Sequence, residues 1–367
     1  MKLKLIIFFL TVITLVSCKK REVITEWYAA ISRPVFHPIE GPKVVYFHRG
    51  KVIAISETLT DIGNFGWSYP TNNISTGLID LFPDSIAVNY GGLNEKLQMC
   101  TFEGGGKLPV ERIKKLFEVG YVFDGEKNKF NCITTGLAPG GRVCVWVNHI
   151  EITRFKVNQI ETYHESPVMI FEDSTEIMNY LKHHPINYKN WEHPDKRYSL
   201  DYGFCSENSV AELGAIYTIS KEGVRNAIFN QQIDITKWGK PFGEKPDLLG
   251  SSYQQFNEYE KTHEFFMPVD VEILWQSENK HFDTKFTISA DLSQKFSKRY
   301  LNPMTKKKSN YNRIVFGVEK DGEHCIVWLD GPGRQEKIMR FKGKPSLKDE
   351  RGKYLNRGSY ATEVEYY

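Results

Sequence analysis

This chain has almost no net charge once its first seventeen residues are set aside. Two of its 48 lysines and arginines, Lys2 and Lys4, fall in that leader, leaving 46 against 45 acids. Nucleic acid is therefore not the expected partner, because that contact needs many cations to neutralise phosphates. Cys-x-x-Cys spacing is missing as well, so neither a thiolate zinc site nor a redox dithiol is expected. Gly-x-Ser-x-Gly is absent, and no Ser-x-x-Lys pair stands in a catalytic context. Gly104-Gly105-Gly106-Lys107 is not followed by the Ser or Thr of a phosphate loop and reads as a flexible turn. The N-terminal apolar run, Leu5 to Val16, falls well short of the ~20 residues that a membrane-crossing helix needs.

What stands at the N-terminus is a basic head, Met1-Lys2-Leu3-Lys4, that short apolar run, and Leu15-Val16-Ser17-Cys18. The arrangement is that of a secretory signal peptide. Its last four residues resemble the bacterial lipoprotein box, in which the chain is cut before a cysteine that becomes lipidated. The expectation is a signal peptide over residues 1–17 and a lipid anchor on Cys18, with the membrane as first partner. Several acyl chains at ~0.8 kcal/mol per buried CH₂ hold essentially permanently. Lys19-Lys20-Arg21 would lie against anionic head groups, and a basic start of this kind points to the periplasmic side. In such an oxidising compartment disulfides are permitted. The five other cysteines, Cys100, Cys132, Cys144, Cys205 and Cys325, are odd in number, so at least one stays unpaired within the chain.

With 41% hydrophobic and 13% aromatic residues, a packed core is well supplied. Val44 to Ile55 reads as two strands around His48-Arg49-Gly50, and 58–76 as a long loop anchored by Trp67. Ile86, Val88 and Tyr90 alternate with Ala87 and Asn89, the period of a half-buried strand, and Leu97 to Phe102 can pair back onto it. Pro109 opens a helix with Ile113, Leu116 and Phe117 on one stripe and Gly120 as its stop. Phe130 to Thr135 is a strand, Leu137 to Gly141 a turn, and Val143 to Val147 a strand apolar on both faces. Such a strand belongs in a sheet covered on both sides. If the turn closes a hairpin, Cys132 and Cys144 fall almost opposite each other, and two buried thiols are preferred to a disulfide there.

The same order returns about 185 residues later, with Pro268 answering Pro83. Val269, Val271, Ile273 and Trp275 alternate with Asp270 and Glu272. Phe282, Phe286 and Ile288 lie in a strand whose other side carries Asp283, Lys285 and Thr287. Asp291 can cap a helix carrying Leu292, Phe296 and Tyr300. Arg313 to Val318 is a strand, Asp321-Gly322 a hairpin turn, and Cys325 to Leu329 answers Val143 to Val147. Each unit closes on Arg-Phe-Lys, at Arg154–Lys156 and Arg340–Lys342. Between the units, Ser174 to His183 is a short helix stopped by Pro185, and Asn187 to Lys196 a polar, aromatic linker. The expected fold is mainly β (α+β): two tandem related units, each an antiparallel sheet or sandwich core with one short helix, over residues 18–185 and 186–367.

Gly136-Leu137-Ala138-Pro139-Gly140-Gly141 followed by a Val/Trp strand, behind a lipoprotein box, resembles the domain of unknown function 2931 family of bacterial envelope lipoproteins. Its aromatic-x-Ser-x-Glu element is matched loosely by Trp275-Gln276-Ser277-Glu278. The first unit departs from it at Tyr90-Gly91-Gly92-Leu93. Leu108-Pro109 matches the family's entry to its helix, where the second unit has Ala290-Asp291. The resemblance implies an envelope lipoprotein without assigned catalytic residues. Through relatives thought to act as immunity proteins against secreted toxins, it also implies a protein-binding role.

Candidate chemistry is sparse. His183, His184, Glu192 and His193 could in principle hold zinc, but adjacent histidines point in different directions and Pro185 breaks the segment, so a polar linker is expected. Nothing in the sequence brings together two of Glu151, Glu161 and Glu165, or sets His164 beside them, for acid–base work. Trp146 and Trp328, flanked by Val and Leu, read as core anchors. The expectation is a non-catalytic binding module without cofactor or metal, engaging an unknown protein. A hydrolase acting on an envelope polymer is the alternative, and it requires a concave pocket in which at least one of these histidines comes within hydrogen-bond reach of a carboxylate.

Overall fold

The computed structural model describes residues 27–57, 66–68, 74–76, 81–123, 126–163, 174–207, 211–230, 252–255, 264–288, 292, 295–296, 311–331, 334–346 and 359–367. The signal segment with Cys18, His164 and Glu165 lie outside these residues. No described helix is long and apolar enough to cross a membrane.

The first unit runs β1 (Tyr28–Ser32), β2 (Ile39–His48), β3 (Lys51–Glu57), β4 (Ile74–Thr76), β5 (Ser85–Leu93), β6 (Met99–Lys107), α1 (Val110–Val119), β7 (Tyr121–Phe123), β8 (Glu126–Asn128), β9 (Cys132–Ala138), β10 (Arg142–Val147), β11 (Ile150–Lys156) and β12 (Asn158–Thr162). Helix α2 (Ser174–His183) follows. The second unit then runs β13 (Arg197–Ser199), β14 (Asp201–Ser206), β15 (Ala211–Ser220), β16 (Arg225–Asn230), β17 (Ser252–Gln255), β18 (Glu264–Phe266), β19 (Pro268–Ser277), β20 (Lys280–Thr287), β21 (Arg313–Val318), β22 (His324–Gly331), β23 (Arg334–Lys342) and β24 (Val364–Tyr366).

Each unit is two sheets face to face. In the first, a sheet ordered β1-β9-β10-β11 packs on one ordered β12-β6-β5-β2-β3-β4. In the second, β17-β14-β21-β22-β23-β24 packs on β16-β15-β19-β20. With the flanking strands removed, the two topologies superpose: β1, β2, β3, β5, β6, β9, β10 and β11 answer β14, β15, β16, β19, β20, β21, β22 and β23. The correspondence extends to irregularities. The β10–β11 ladder slips between Val145 and Trp146, and the β22–β23 ladder slips between Val327 and Trp328, the matching step. Each unit also holds one parallel pair, β1 on β9 and β14 on β21, which no local pattern in the sequence announced.

Local sequence explains most of the elements. Arg49 and Gly50 both take positive φ (50° and 75°), the geometry that closes a tight β2–β3 hairpin with the twist of its strands. Ile86, Val88 and Tyr90 face the first core as their alternation requires. Helix α1 buries Ile113 and Phe117, and the Gly120 N–H closes on the Leu116 carbonyl. Tyr90 Oη crosses between the sheets to the Ala138 carbonyl at 2.7 Å. On β10, Val143, Val145 and Val147 enter the sandwich core, while Cys144 and Trp146 enter a separate cluster on the sheet's other face. The strand is covered on both sides, as its composition demanded. Trp67 is a buried anchor, meeting Trp146 edge to face at 4.9 Å.

Two local expectations need correcting. Gly104-Gly105-Gly106 is no flexible turn but the second half of β6, paired through Val88–Gly104, Ala87–Gly105 and Ile86–Gly106. The glycines are there for close approach: a Cβ on Gly106 would sit 2.8 Å from the Phe155 ring, and one on Gly105 would sit 2.4 Å from the Ile86 carbonyl. Cys132 and Cys144 are not opposite each other. The β9–β10 turn is confined to Pro139–Gly141, so Cys144 faces Gly136 and Val147 faces Ile133. All five of the later cysteines are free and buried. The helix expected from Asp291 lies almost wholly outside the described residues.

Candidate functional site

The richest polar chemistry lies where the units meet. Helix α2 presents Ile177, Tyr180 and Leu181 to a cluster that also holds Val35, Phe36, Trp67 and Trp146 of the first unit and Ile219 and Val224 of the second. Trp191, on the segment read from sequence as a polar linker, is 1% exposed in this cluster, and its indole N–H reaches the Glu222 carbonyl at 3.0 Å. That segment is therefore packed structure rather than a tether; removing a tryptophan so buried costs ~3–5 kcal/mol.

At the C-terminal end of α2 the two adjacent histidines diverge. His183 donates through Nδ1 to the Asn179 carbonyl at 2.9 Å, and its ring stacks on Tyr360 with centroids 3.7 Å apart and planes 11° apart. His184 turns inward and donates through Nε2 to Asp270 Oδ1 at 2.7 Å. Tyr360 Oη donates to the other oxygen of the same carboxylate. Burial, then the Asp270 charge, holds the Tyr360 phenol far above its ordinary value. Two turns earlier on α2, Glu176 accepts from Lys285 Nζ at 2.9 Å. That lysine is fully buried, with its ammonium 4.0 Å from the centre of the Phe36 ring. His37, edge-on to Tyr180 and Trp191, donates to the Val35 carbonyl at 2.9 Å. Burial holds it neutral, its pKa lowered to about 4.

A second charged group closes the seam from the other side. Arg154 on β11 meets Glu151 at 2.7 Å, Glu222 at 2.8 Å and the Trp191 carbonyl at 2.9 Å. Glu222 sits in the β15–β16 turn of the second unit, and burial outweighs its arginine enough to raise its pKa to about 7. Arg142 reaches Glu192 at 2.7 Å.

The candidate zinc set therefore does not assemble. His183 stacks on Tyr360, His184 joins Asp270, Glu192 pairs with Arg142, and His193 is exposed. Of the carboxylates after the Trp strand, Glu151 is bound by Arg154 and Glu161 is exposed on β12. Among the described residues, Glu319, Asp321 and His324 bring ligand atoms within 4.8 Å of one another. The Arg340 guanidinium, however, occupies Glu319 at 2.7 Å, and His324 is held by Asp321 at 2.6 Å.

Sequence reasoning missed Asp270, Lys285, Tyr360 and Glu222. The first two sit at strand positions whose alternation assigns them to water, yet both are 0% exposed. Helix α2 and the segment around Tyr360 cover that face. The only available signal was the opposite charges of Glu272 and Lys285, which the ladder places side by side. Next to this network is a cavity of about 570 Å³, walled by Asn179 and His183 of α2 and by Lys344, Pro345, Tyr360 and Ala361.

A duplicated β-sandwich sealed by a helix and a buried charge network defines the structural class. A family model described as "Protein of unknown function (DUF2931)" matches residues 20–189 and again 190–363, and the chain belongs to that family. No curated protein matches. Among solved structures, the tip fimbrial protein Mfa3 from Porphyromonas gingivalis with C-terminal truncation aligns over 93% of this chain and 91% of that one, at 10% identity. Its TM-score is 0.12, too low to bear on fold or function.

Proposed function

We propose that this chain is a lipid-anchored protein of the bacterial envelope, held through Cys18 and facing the periplasm, that binds another protein rather than turning over a substrate. The observation that carries the reading is the saturation of the seam. Asp270 accepts from both His184 and Tyr360, Glu176 from Lys285, and Glu222 and Glu151 from Arg154. Groups so engaged fix two units together and leave none of these carboxylates free as a general base. The anchor is tested by Cys18→Ser: label from radioactive palmitate and membrane fractionation should both be lost. Binding is tested by cross-linking in intact envelopes. A single recurring partner is expected; turnover of purified envelope polymer with no partner would overturn the reading.

One observation favours the hydrolase alternative. His184 lies 2.7 Å from the buried Asp270 carboxylate and its neighbour His183 lines a cavity, although neither His184 nor Asp270 lines it, so the geometry that reading requires is met in part. Release of soluble fragments from envelope polymer, abolished by His184→Asn in a protein that still melts normally, would establish it.

A further inference from the structure

The cavity at the end of α2 plays no part in the protein-binding reading, and three features describe what it would hold. Its walls are built rather than incidental. Lys344 is pinned to β20 at both backbone ends, its N–H on Thr284 Oγ1 at 2.7 Å and its carbonyl receiving the Asp283 N–H at 3.0 Å. The opposite rim is pinned to the same strand, the Ser359 carbonyl receiving the Lys285 N–H at 3.0 Å and the Ala361 N–H reaching the Lys285 carbonyl at 2.9 Å. The third wall, the end of α2, is fixed through His184 on Asp270. A cavity shaped in advance loses little entropy on binding.

Among the described residues its lining is apolar in the middle and carries one lysine. Pro345, Ala361 and the stacked His183–Tyr360 pair supply the apolar surface. Lys344 lines the cavity, and among the described residues no carboxylate pairs with it. Among the described acids nearby, Asp270 is engaged by His184 and Tyr360, Glu176 by Lys285, and Glu363 by Lys342 at 3.7 Å, while Asp283, whose N–H meets the Lys344 carbonyl, is buried on β20 and does not line the cavity. Among the described residues no carboxylate lines the cavity itself. It is an open cleft rather than an enclosed cavity, and its volume of about 570 Å³ compares with the ~300–1,000 Å³ of small-molecule sites, which join apolar walls to a few placed polar groups.

We infer that this cavity is a binding site for an organic carboxylate, with the acid on Lys344 and an apolar body against Pro345, Ala361 and the His183–Tyr360 plate. A free small acid and the C-terminus of a polypeptide share that chemistry. The inference stands independently of the anchor and of the protein partner proposed above.

The test is saturation-transfer NMR and calorimetry on the full mature chain in detergent, with benzoate, N-acetylphenylalanine and N-acetylphenylalanine amide as probes. N-acetylphenylalanine should bind at least about tenfold tighter than its amide, since a charge-assisted hydrogen bond is lost in the amide. Lys344→Met should weaken the acid by about tenfold without changing the melting temperature, and Ala361→Trp should abolish binding by filling the cavity. Benzoate binding as well as N-acetylphenylalanine would identify a free small acid, and preference for the latter a polypeptide C-terminus; either supports the site. Equal binding of acid and amide, no binding of any probe, or full affinity in Lys344→Met would overturn it.

Discussion

Lys285 and Glu176 allow the energetics of the seam to be tested with two substitutions. The ammonium is fully buried, and the carboxylate that neutralises it comes from α2, 109 positions away in sequence. Replacing Glu176 by Gln keeps the shape of the side chain but strands a positive charge among Phe36 and Tyr360. Breaking one side of a buried pair costs ~3–5 kcal/mol. Glu176 is 18% exposed, so water can reach the orphaned ammonium in part, and we expect about 2–3 kcal/mol. Lys285→Met removes the buried charge and leaves Glu176 near water, at a cost of about 1 kcal/mol or less. The double substitution should behave like Lys285→Met alone, giving a coupling of about 2 kcal/mol. For a unit of this size, Glu176→Gln should lower the melting temperature by about 5–10 °C, since ~1 kcal/mol shifts it by ~2–4 °C. Calorimetric unfolding of the three variants decides the matter. If Glu176→Gln costs no more than about 0.5 kcal/mol, or Lys285→Met costs as much as Glu176→Gln, the charge is not sequestered as described and the reasoning fails.

Four further outcomes follow from the same geometry. The raised pKa of Glu222, about 7 against an ordinary 4.5, means the folded state binds the extra proton, so this group's contribution to stability is fully present below pH ~4.5 and falls by up to ~3 kcal/mol as pH rises to about 7. Glu222→Gln should flatten that limb in urea titrations run from pH 5 to 8. His37 acts in the opposite direction. Held at about 4 against 6.5, it gives stability that is complete above pH 6.5 and lost as pH falls toward 4, and replacing it by Gln should remove that acid limb. Gly136→Ala should destabilise by at least ~2 kcal/mol, because its Cβ would lie 2.5 Å from the Trp146 ring and 2.7 Å from Trp67; an unchanged melting temperature would show that the two rings can give way. Cys132 and Cys144 should react with a thiol reagent only after denaturation, since burial raises both thiols above their ordinary value.

How much of this was legible depends on the range of the interaction that decides each feature. Ile86, Val88 and Tyr90 on one strand face, Arg49-Gly50 at a hairpin and Pro109 with Gly120 around a helix are settled within a few residues. Each of these appears in the structure as the sequence suggests. The duplication was equally visible, because two copies of Val-Cys-Val-Trp-Val and Cys-Ile-Val-Trp-Leu answer to the same sheet position and even the same ladder slip. Alternation, by contrast, states only that Asp270, Glu272 and Lys285 leave the sandwich core. Whether they then meet water depends on what packs on the outside of that sheet. Here it is α2, whose His184 is 86 positions from Asp270, and a segment whose Tyr360 is 90 positions away on the other side. The parallel β1–β9 pair and the glycine-bearing half of β6 belong to the same class, since each is fixed by a partner element rather than by its neighbours in sequence. Outward-facing strand charges of opposite sign, recurring on paired positions such as Glu272 and Lys285, are better read as a face awaiting cover than as a face awaiting solvent. In a duplicated chain that cover has an evident source. Among the described residues the helix joining the units is the one amphipathic element tethered within reach of both, and it buries its Ile177–Tyr180–Leu181 stripe while carrying Glu176 and His184 down onto those charges.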